Sequence, residues 1–420
     1  MVSGSSSPSR RRFIGGALGL AGVGVAGGVG YGAAQALDGS DEPAAAPATS
    51  DQISLYGAHQ AGIATPAQDR LAFAAFDLTT LDPMAVQTLL GLWAAAAHQM
   101  TTGQQVGGDK DPQAPPLDTG EAEGLSPGKL TITVGFGPSF FDDRFGLADR
   151  RPAALVKLPS FPNDQLQPAR TGGDIGVQAC SDDPQVAFHA IRNFARMARG
   201  TAVMRWTQLG FGRTSTTSVS QSTPRNLMGF KDGTRNIKGE DATDLDDYVW
   251  VGPETDQAWM TGGSYLVARR IRMLIESWDT DSLSDQERVF GRTKGSGAPL
   301  GGQAELDVPD LNAKNTDGTP VIDTEAHIRL AAPATNGNQK ILRRGYSYTD
   351  GIDADTGLLD AGLFFLAYQK DPTKQFIPIQ QRLGHSDALN EYIRHTGSAV
   401  FAVPPGLSGP GDWFGKKLFA

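Results

Sequence analysis

The chain of 420 residues contains a single cysteine, Cys180. One thiol cannot close an internal disulfide. Nor can it supply a thiolate zinc site, an iron–sulfur cluster or covalent c-type haem attachment. The fold must therefore stand on its apolar core, and Cys180 reads as a buried structural thiol. Histidine is also scarce. The six residues are His59, His98, His189, His327, His385 and His395, and no two have the His-x-x-x-His spacing of a mononuclear metal site. His98 and His189 fall in amphipathic helical stretches and read as structural. The dinucleotide fingerprint is missing as well, because Gly135-Phe136-Gly137 lacks the later glycine and the acid. Acids are absent from the first 36 residues, whose only charges are Arg10, Arg11 and Arg12, while the whole chain carries a net −9. The body is thus strongly acidic, which argues against nucleic acid or an anionic membrane as its partner.

At the N-terminus stands Ser9-Arg10-Arg11-Arg12-Phe13-Ile14, a twin-arginine pattern. A run of Gly, Ala, Val and Leu follows to about Ala34, and Ala34-Gln35-Ala36 offers a small-x-small cleavage site. The run is glycine-rich and weakly apolar, so residues 1–36 read as a cleaved export signal rather than a retained anchor. Twin-arginine export carries folded proteins, commonly because a cofactor is loaded in the cytoplasm first. The expected location is extracellular, periplasmic or cell-envelope, with no membrane span after cleavage. Residues 37–50, with Pro43, Ala44 to Ala46 and Pro47, read as a disordered linker.

The element pattern from residue 51 onward is α+β. Residues 71–78 read as a strand. Asp82 caps a helix with Pro83 at its first position, and Val86, Leu89, Leu90, Trp93 and Ala97 share one face. Strands follow at 129–135 and 174–181. Asp183-Pro184 repeats the cap, and a strand at 201–209 ends the half. Strand, helix, strand, strand, helix, strand is the ferredoxin-like order. The second half repeats it more loosely. It has a strand at 264–275, a short helix with a Ser284/Glu287 capping box ending at Gly291, a strand at 362–369, a helix at 386–395 and a strand at 398–403. Residues 295–321 are loop by composition. The expectation is two ferredoxin-like halves, 51–215 and 264–420, with antiparallel sheets and peripheral helices, joined by a connecting segment at 216–263.

Three places carry chemistry. Gly229-Phe230-Lys231-Asp232-Gly233 sets one acid between glycines in a turn. His327 lies just before a turn at 333–337. Arg343 and Arg344 are adjacent in a strand-like stretch. Successive strand side chains point to opposite faces, so at most one of the two faces inward, and that one needs an anion.

These segments resemble a known family, the dye-decolourising peroxidases, and in particular its secreted bacterial branch with the deferrochelatase/peroxidases. The resemblance rests on five motifs in order. They are Tyr56-Gly57-x-His59-Gln60-Ala61-Gly62-Ile63; Gly229-x-x-Asp232-Gly233; Gly291-Arg292-x-Lys294 with Gly297-x-Pro299-Leu300; Ala326-His327-Ile328-Arg329; and Arg343-Arg344-Gly345-Tyr346-Ser347-Tyr348. It implies a fold of two ferredoxin-like halves in a barrel-like arrangement, with one haem b per chain. His327 matches the proximal iron ligand, Asp232 the distal acid and Arg343 the distal arginine. Arg292 and Arg329 resemble propionate partners, and Gly233 and Asn236 haem-pocket positions. Glu391, ahead of Asp387, is expected to accept the His327 Nδ1–H. The implied activity is reduction of hydrogen peroxide through a high-valent iron intermediate, with oxidation of dyes, phenolics or other small donors. Release of iron from haem, or haem binding without catalysis, are the alternatives, and self-association into a homo-oligomer is left open.

A free aspartate has a pKa of about 3.9, so Asp232 as a base favours an acidic optimum. Bulky donors cannot reach a buried haem edge. Tyr346, Tyr348, Tyr392, Trp250, Trp259 and Trp278 are therefore candidate surface oxidation sites, although each reads more simply as a packed aromatic.

Overall fold

A computed structural model describes residues 51–108 and 112–420, so the expected signal and linker lie outside the described residues. The first half runs β1 (Arg70–Leu78), α1 (Pro83–Thr101), β2 (Thr131–Phe136), β3 (Ile175–Ser181), α2 (Pro184–Met197) and β4 (Ala202–Arg213). A short α3 (Ala242–Tyr248) lies in the connecting segment. The second half runs β5 (Ser264–Met273), α4 (Ile275–Trp278), α5 (Leu283–Phe290), α6 (His327–Leu330), β6 (Leu342–Arg343), β7 (Tyr346–Ile352), β8 (Leu359–Gln369), α7 (Phe376–Ser386) and β9 (Ile393–Val403).

The strands form one antiparallel sheet in the order β5-β9-β2-β3-β1-β4-β7-β8-β6. β8 also pairs with β5, so the sheet closes on itself as a barrel. The two halves meet where Phe136 of β2 faces Ala402 of β9, and where Phe211 and Arg213 of β4 face Ser347 and Tyr346 of β7. This is the expected α+β architecture of two ferredoxin-like halves.

Alternation along β1 explains the layers. Ala72, Ala74 and Phe76 point outward into a core shared with α1 and α2, which contribute Trp93, Leu90, Ile191 and Phe194. Leu71, Phe73 and Ala75 point into the barrel, against Tyr346, Tyr368, Phe364 and Phe401. Both faces are covered, which is why β1 reads as a near-continuous apolar run. Each large side chain buried in this way contributes ~1.5–3 kcal/mol. Asp82 and Asp183 cap α1 and α2 as expected, accepting from the Met84 N–H at 2.8 Å and the Gln185 N–H at 2.7 Å. Cys180 is buried on β3.

Two local expectations are corrected. The cap of α5 is Ser282, whose Oγ accepts from the Asp285 N–H at 3.2 Å, while Glu287 accepts from the Lys294 N–H instead. The helix expected at 386–395 lies earlier, as α7. Its Pro378 falls in the first turn, where a missing N–H costs nothing, so the proline does not mark a break. A single 3-10 turn, Ala388–Glu391, then leads from α7 into β9.

Candidate active site

A cavity of about 520 Å3 opens in the second half, within the range of cofactor pockets. Its strand wall is an alternating face of three neighbours. Ile271 and Met273 of β5, Leu363 and Phe365 of β8, and Ile393 and His395 of β9 all line it. Ile271 sits opposite both Leu363 and His395 in register. Its helical wall comes from α6 and α7, with His327, Ile328, Phe376, Ile379 and Leu383. The result is an apolar slot with polar groups at a few places.

His327 opens α6. Its segment is stitched to the end of α7 by a bond from the Ala388 N–H to the Glu325 carbonyl at 3.0 Å. Asp387 caps the 3-10 turn after α7. One carboxylate oxygen accepts from the Leu389 N–H at 2.9 Å, and the other meets His327 Nδ1 at 2.6 Å. That partner was expected to be Glu391, but Glu391 is exposed and turned away, and Asp387 takes the place. Burial works to lower the His327 pKa, but the Asp387 carboxylate outweighs it, and the net shift is upward. With Nδ1 fixed as the donor, Nε2 is the nitrogen left for a ligand.

Asp232 and Arg343 also line this cavity and meet in an ion pair, Arg343 Nη1 donating to Asp232 Oδ1 at 2.7 Å. Arg343 lies on β6, and Asp232 lies on the connecting segment, which is held by a bond from its N–H to the Pro224 carbonyl at 3.0 Å. Arg344 points the other way. It is fully buried in the barrel, where it donates to the carbonyls of Ile63, Thr65 and Pro66 and to Gln68 and Thr217. The two side chains take opposite faces as alternation requires, but the fully buried one is Arg344, which is satisfied by carbonyls and neutral side chains rather than by the anion expected of it, while Arg343 meets the Asp232 carboxylate.

Two expected cofactor contacts need correction. Arg329 is spent on its own loop, donating to the carbonyls of Ile322 and Asp323 at 2.6 and 3.0 Å. Asn236 does not line the cavity; its amide bonds the backbone of Arg343 and Thr216. Gly233 does line the cavity, with φ +79°, and a Cβ there would sit 2.7 Å from Ser215 Cα. Its close approach is to protein backbone.

Arg292 lines the cavity, with Nη1 donating to the Gly297 carbonyl at 2.6 Å. Burial, and then the neighbouring charges of Arg343 and Arg235, push its pKa down. Arg235 is an exposed rim residue that sequence reasoning missed, although its place three residues after Asp232 marks it. Lys231 pairs with Glu305, and Thr234 bonds the same carboxylate at 3.2 Å. The six aromatic candidates are all buried, so none offers a ring to solvent.

His395 is another cavity residue to which the sequence attached no role. Burial first, and then the Arg269 charge, lower its pKa to about 3, so it stays neutral. An unfolded histidine titrates near ~6.5. The neutral form's contribution to stability is therefore complete above about pH 6.5 and is lost as pH falls toward 3, by ~1.4 kcal/mol per pH unit. Urea midpoints between pH 6.5 and 4.5 should show this slope, and His395→Gln should flatten it by about one proton.

Among the described residues, no group of three or more His, Cys, Asp or Glu side chains is gathered to hold a bare metal ion. A metal at His327 therefore needs a second scaffold. A mostly apolar cavity, one imidazole locked by a carboxylate, and an acid–arginine pair on the same cavity fit a porphyrin whose iron takes a single protein ligand. This fold and this donor set define a haem protein with acid–base groups at its pocket.

The chain belongs to the Dyp-type peroxidase family and is a haem peroxidase. The N-terminal domain of that family matches residues 60–212 and the C-terminal domain residues 223–408. Ferric DtpA from Streptomyces lividans is 42% identical, covering 90% of this chain and 100% of that one, with a TM-score of 0.81. A DyP-type peroxidase from Cellulomonas bogoriensis is 41% identical, covering 88% and 98%, with a TM-score of 0.79. Deferrochelatase of Escherichia coli (strain K12) is 38% identical over 99% of this chain and 98% of its own length.

The carboxylate that holds His327 can be separated from its neighbour by mutation. Asp387→Asn keeps a hydrogen bond to His327 but removes its charge. The ferric/ferrous midpoint potential should rise, and the peroxide reaction should slow by about 10–100-fold. Glu391→Ala should leave both measurements at the wild-type value.

Proposed function

We propose that His327 Nε2 holds the iron of one haem b, and that Asp232 and Arg343 act together on hydrogen peroxide in the same cavity. The haem supplies the iron at which peroxide binds and the electrons that reduce it. Asp232 takes the proton from the oxygen nearer the iron and delivers it to the far oxygen, which departs as water. The Arg343 guanidinium stabilises the charge that develops as the O–O bond breaks. Asp387 holds His327 in one tautomer and strengthens it as a donor. Arg292, and Arg235 at the rim, offer cations to the haem propionates. The observation that carries this reading is a single cavity lined by both the Asp387-bound imidazole and the Arg343–Asp232 pair at 2.7 Å.

A small aromatic or other donor then returns the protein to its resting state. The six candidate aromatics are covered, so none of them is the obvious entry point for its electrons. The test is to mix the ferric protein with one equivalent of peroxide. A Soret change within the mixing time is expected, and recovery on adding a phenol; an unchanged spectrum would sink the reading.

Iron release from haem is the second reading, favoured by the deferrochelatases of the Escherichia coli strains at 38% identity. Incubation with an iron chelator should then leave intact protoporphyrin in the protein. The twin-arginine motif at Arg10 to Arg12 supports export of the loaded protein.

A further inference from the structure

The Asp232 loop grips Arg343 at both ends. At one end Asp232 Oδ1 accepts from Arg343 Nη1 at 2.7 Å. Four residues on, the Asn236 side chain engages the Arg343 peptide itself. Its Oδ1 accepts from the Arg343 N–H at 2.7 Å, and its Nδ2 donates to the Arg343 carbonyl at 2.7 Å. Nδ2 also donates to the Thr216 carbonyl at 3.0 Å. Both atoms of a buried amide are thereby satisfied.

The need for this grip comes from the sheet. β6 is two residues long, ends the strand order, and pairs with β8 alone among the described residues. An edge strand leaves one row of N–H and C=O groups unpaired. Asn236 supplies to Arg343 what the peptide of another strand would supply. The loop between the two grips is itself closed, with Gly233 at φ +79° and the Asn236 N–H bonded to the Gly233 carbonyl at 3.1 Å. The spacing from acid to amide is thus fixed by one turn.

We propose that Asn236 is a positioning residue for the peroxide reaction: its two-point bond to the Arg343 peptide sets where the guanidinium stands relative to Asp232. The proposal rests on the roles of Asp232 and Arg343 in the proposed peroxidase reaction. Without the tie, Arg343 is held from the β8 side only, and its flexible side chain drifts with Asp232 rather than being aimed. Misplacement by about 1 Å costs on the order of 10²-fold in rate.

The test uses haem-loaded wild type, Asn236→Ala, Asn236→Asp and Arg343→Leu. Asn236→Asp keeps the size and the acceptor for the Arg343 N–H but replaces the amide donor facing two carbonyls. Four quantities are read: the rate of the peroxide reaction, the affinity of the ferric protein for fluoride, the rate of return with a phenol, and haem content. Fluoride is a small anion that takes the peroxide position and accepts from a guanidinium. Both Asn236 variants should slow the peroxide step by about 10–100-fold and weaken fluoride by about tenfold, with haem content and the phenol step held within about twofold. Wild-type peroxide and fluoride behaviour in both, with Arg343→Leu slow, would overturn the proposal. A wild-type rate in Arg343→Leu would instead overturn the roles of the pair. If Asn236→Ala fails to fold, Asn236→Asp decides; failure of both would make Asn236 purely structural and would also overturn it.

Discussion

His327→Ala protein should purify folded and without a Soret band. His327 is the imidazole of the cavity whose Nδ1 is already engaged and whose Nε2 is free to bind iron. His395, the other histidine lining the cavity, approaches Gln380 at 3.4 Å and has no carboxylate partner among the described residues. It therefore lacks the arrangement that makes a strong axial donor. The fold should survive, because His327 opens a helix of only four residues and its ring meets the core at the single aromatic edge of Phe290. The variant loses the stabilisation from bound haem, ~2.7 kcal/mol when ligand stands at a hundred times its dissociation constant. The melting temperature should fall to that of haem-free wild type and somewhat below it, because the variant also leaves the buried Asp387 carboxylate without its partner. Haem content by absorbance, and the melting curve of the same sample, check both parts. A full Soret band in His327→Ala would move the iron ligand elsewhere.

The second large effect belongs to the distal pair. Arg343→Leu should slow the peroxide step by about 10²–10³-fold, the cost of removing one preorganised donor to a developing charge. Asp232→Ala should cost about 10²–10⁴-fold, the range for a positioned acid–base group. The double variant should be far less impaired than the product of the two. The side chains touch at 2.7 Å and, in the proposed reaction, act on one event, so removing either would leave the other without its task. Asp232→Ala also strands a half-buried guanidinium, whereas Arg343→Leu strands a carboxylate. Stability should fall in both singles and partly recover in the double. The step in which a phenol returns the protein to rest should change little in any of them.

Much of this site was legible because its residues are local. Asp232 between two glycines, His327 before a turn, and the adjacent arginines each announce a constraint in a few residues. That Arg343 and Arg344 take opposite faces followed from strand alternation, but which of them meets the acid did not, and the buried Arg344 is satisfied without an anion. Arg329 was misread as a propionate partner because the short helix at His327–Leu330 was not foreseen. Two residues along a helix turn the side chain by about 200°, so with His327 facing the cavity Arg329 faces away. The structure places Ile328 and Ala331 beside His327 in the cavity and Arg329 outside it.

Other errors came from element boundaries. A helix at 386–395 would place Asp387 and Glu391 on one face, with nothing to separate them. The helix ends at Ser386, which makes Asp387 the cap of the next turn and aims its second oxygen at His327. The Arg343 partner of Asn236 lies 107 residues away in sequence, and the Thr65 partner of Arg344 lies 279 away. Only closure of the barrel brings them together, and no local pattern records it.

The most direct test is stopped-flow mixing of ferric wild type and the Asp232→Ala, Arg343→Leu double variant with one equivalent of peroxide, both with full haem content. The account predicts a Soret change that is at least about 10²-fold slower in the double variant. Equal rates in the two proteins would contradict it.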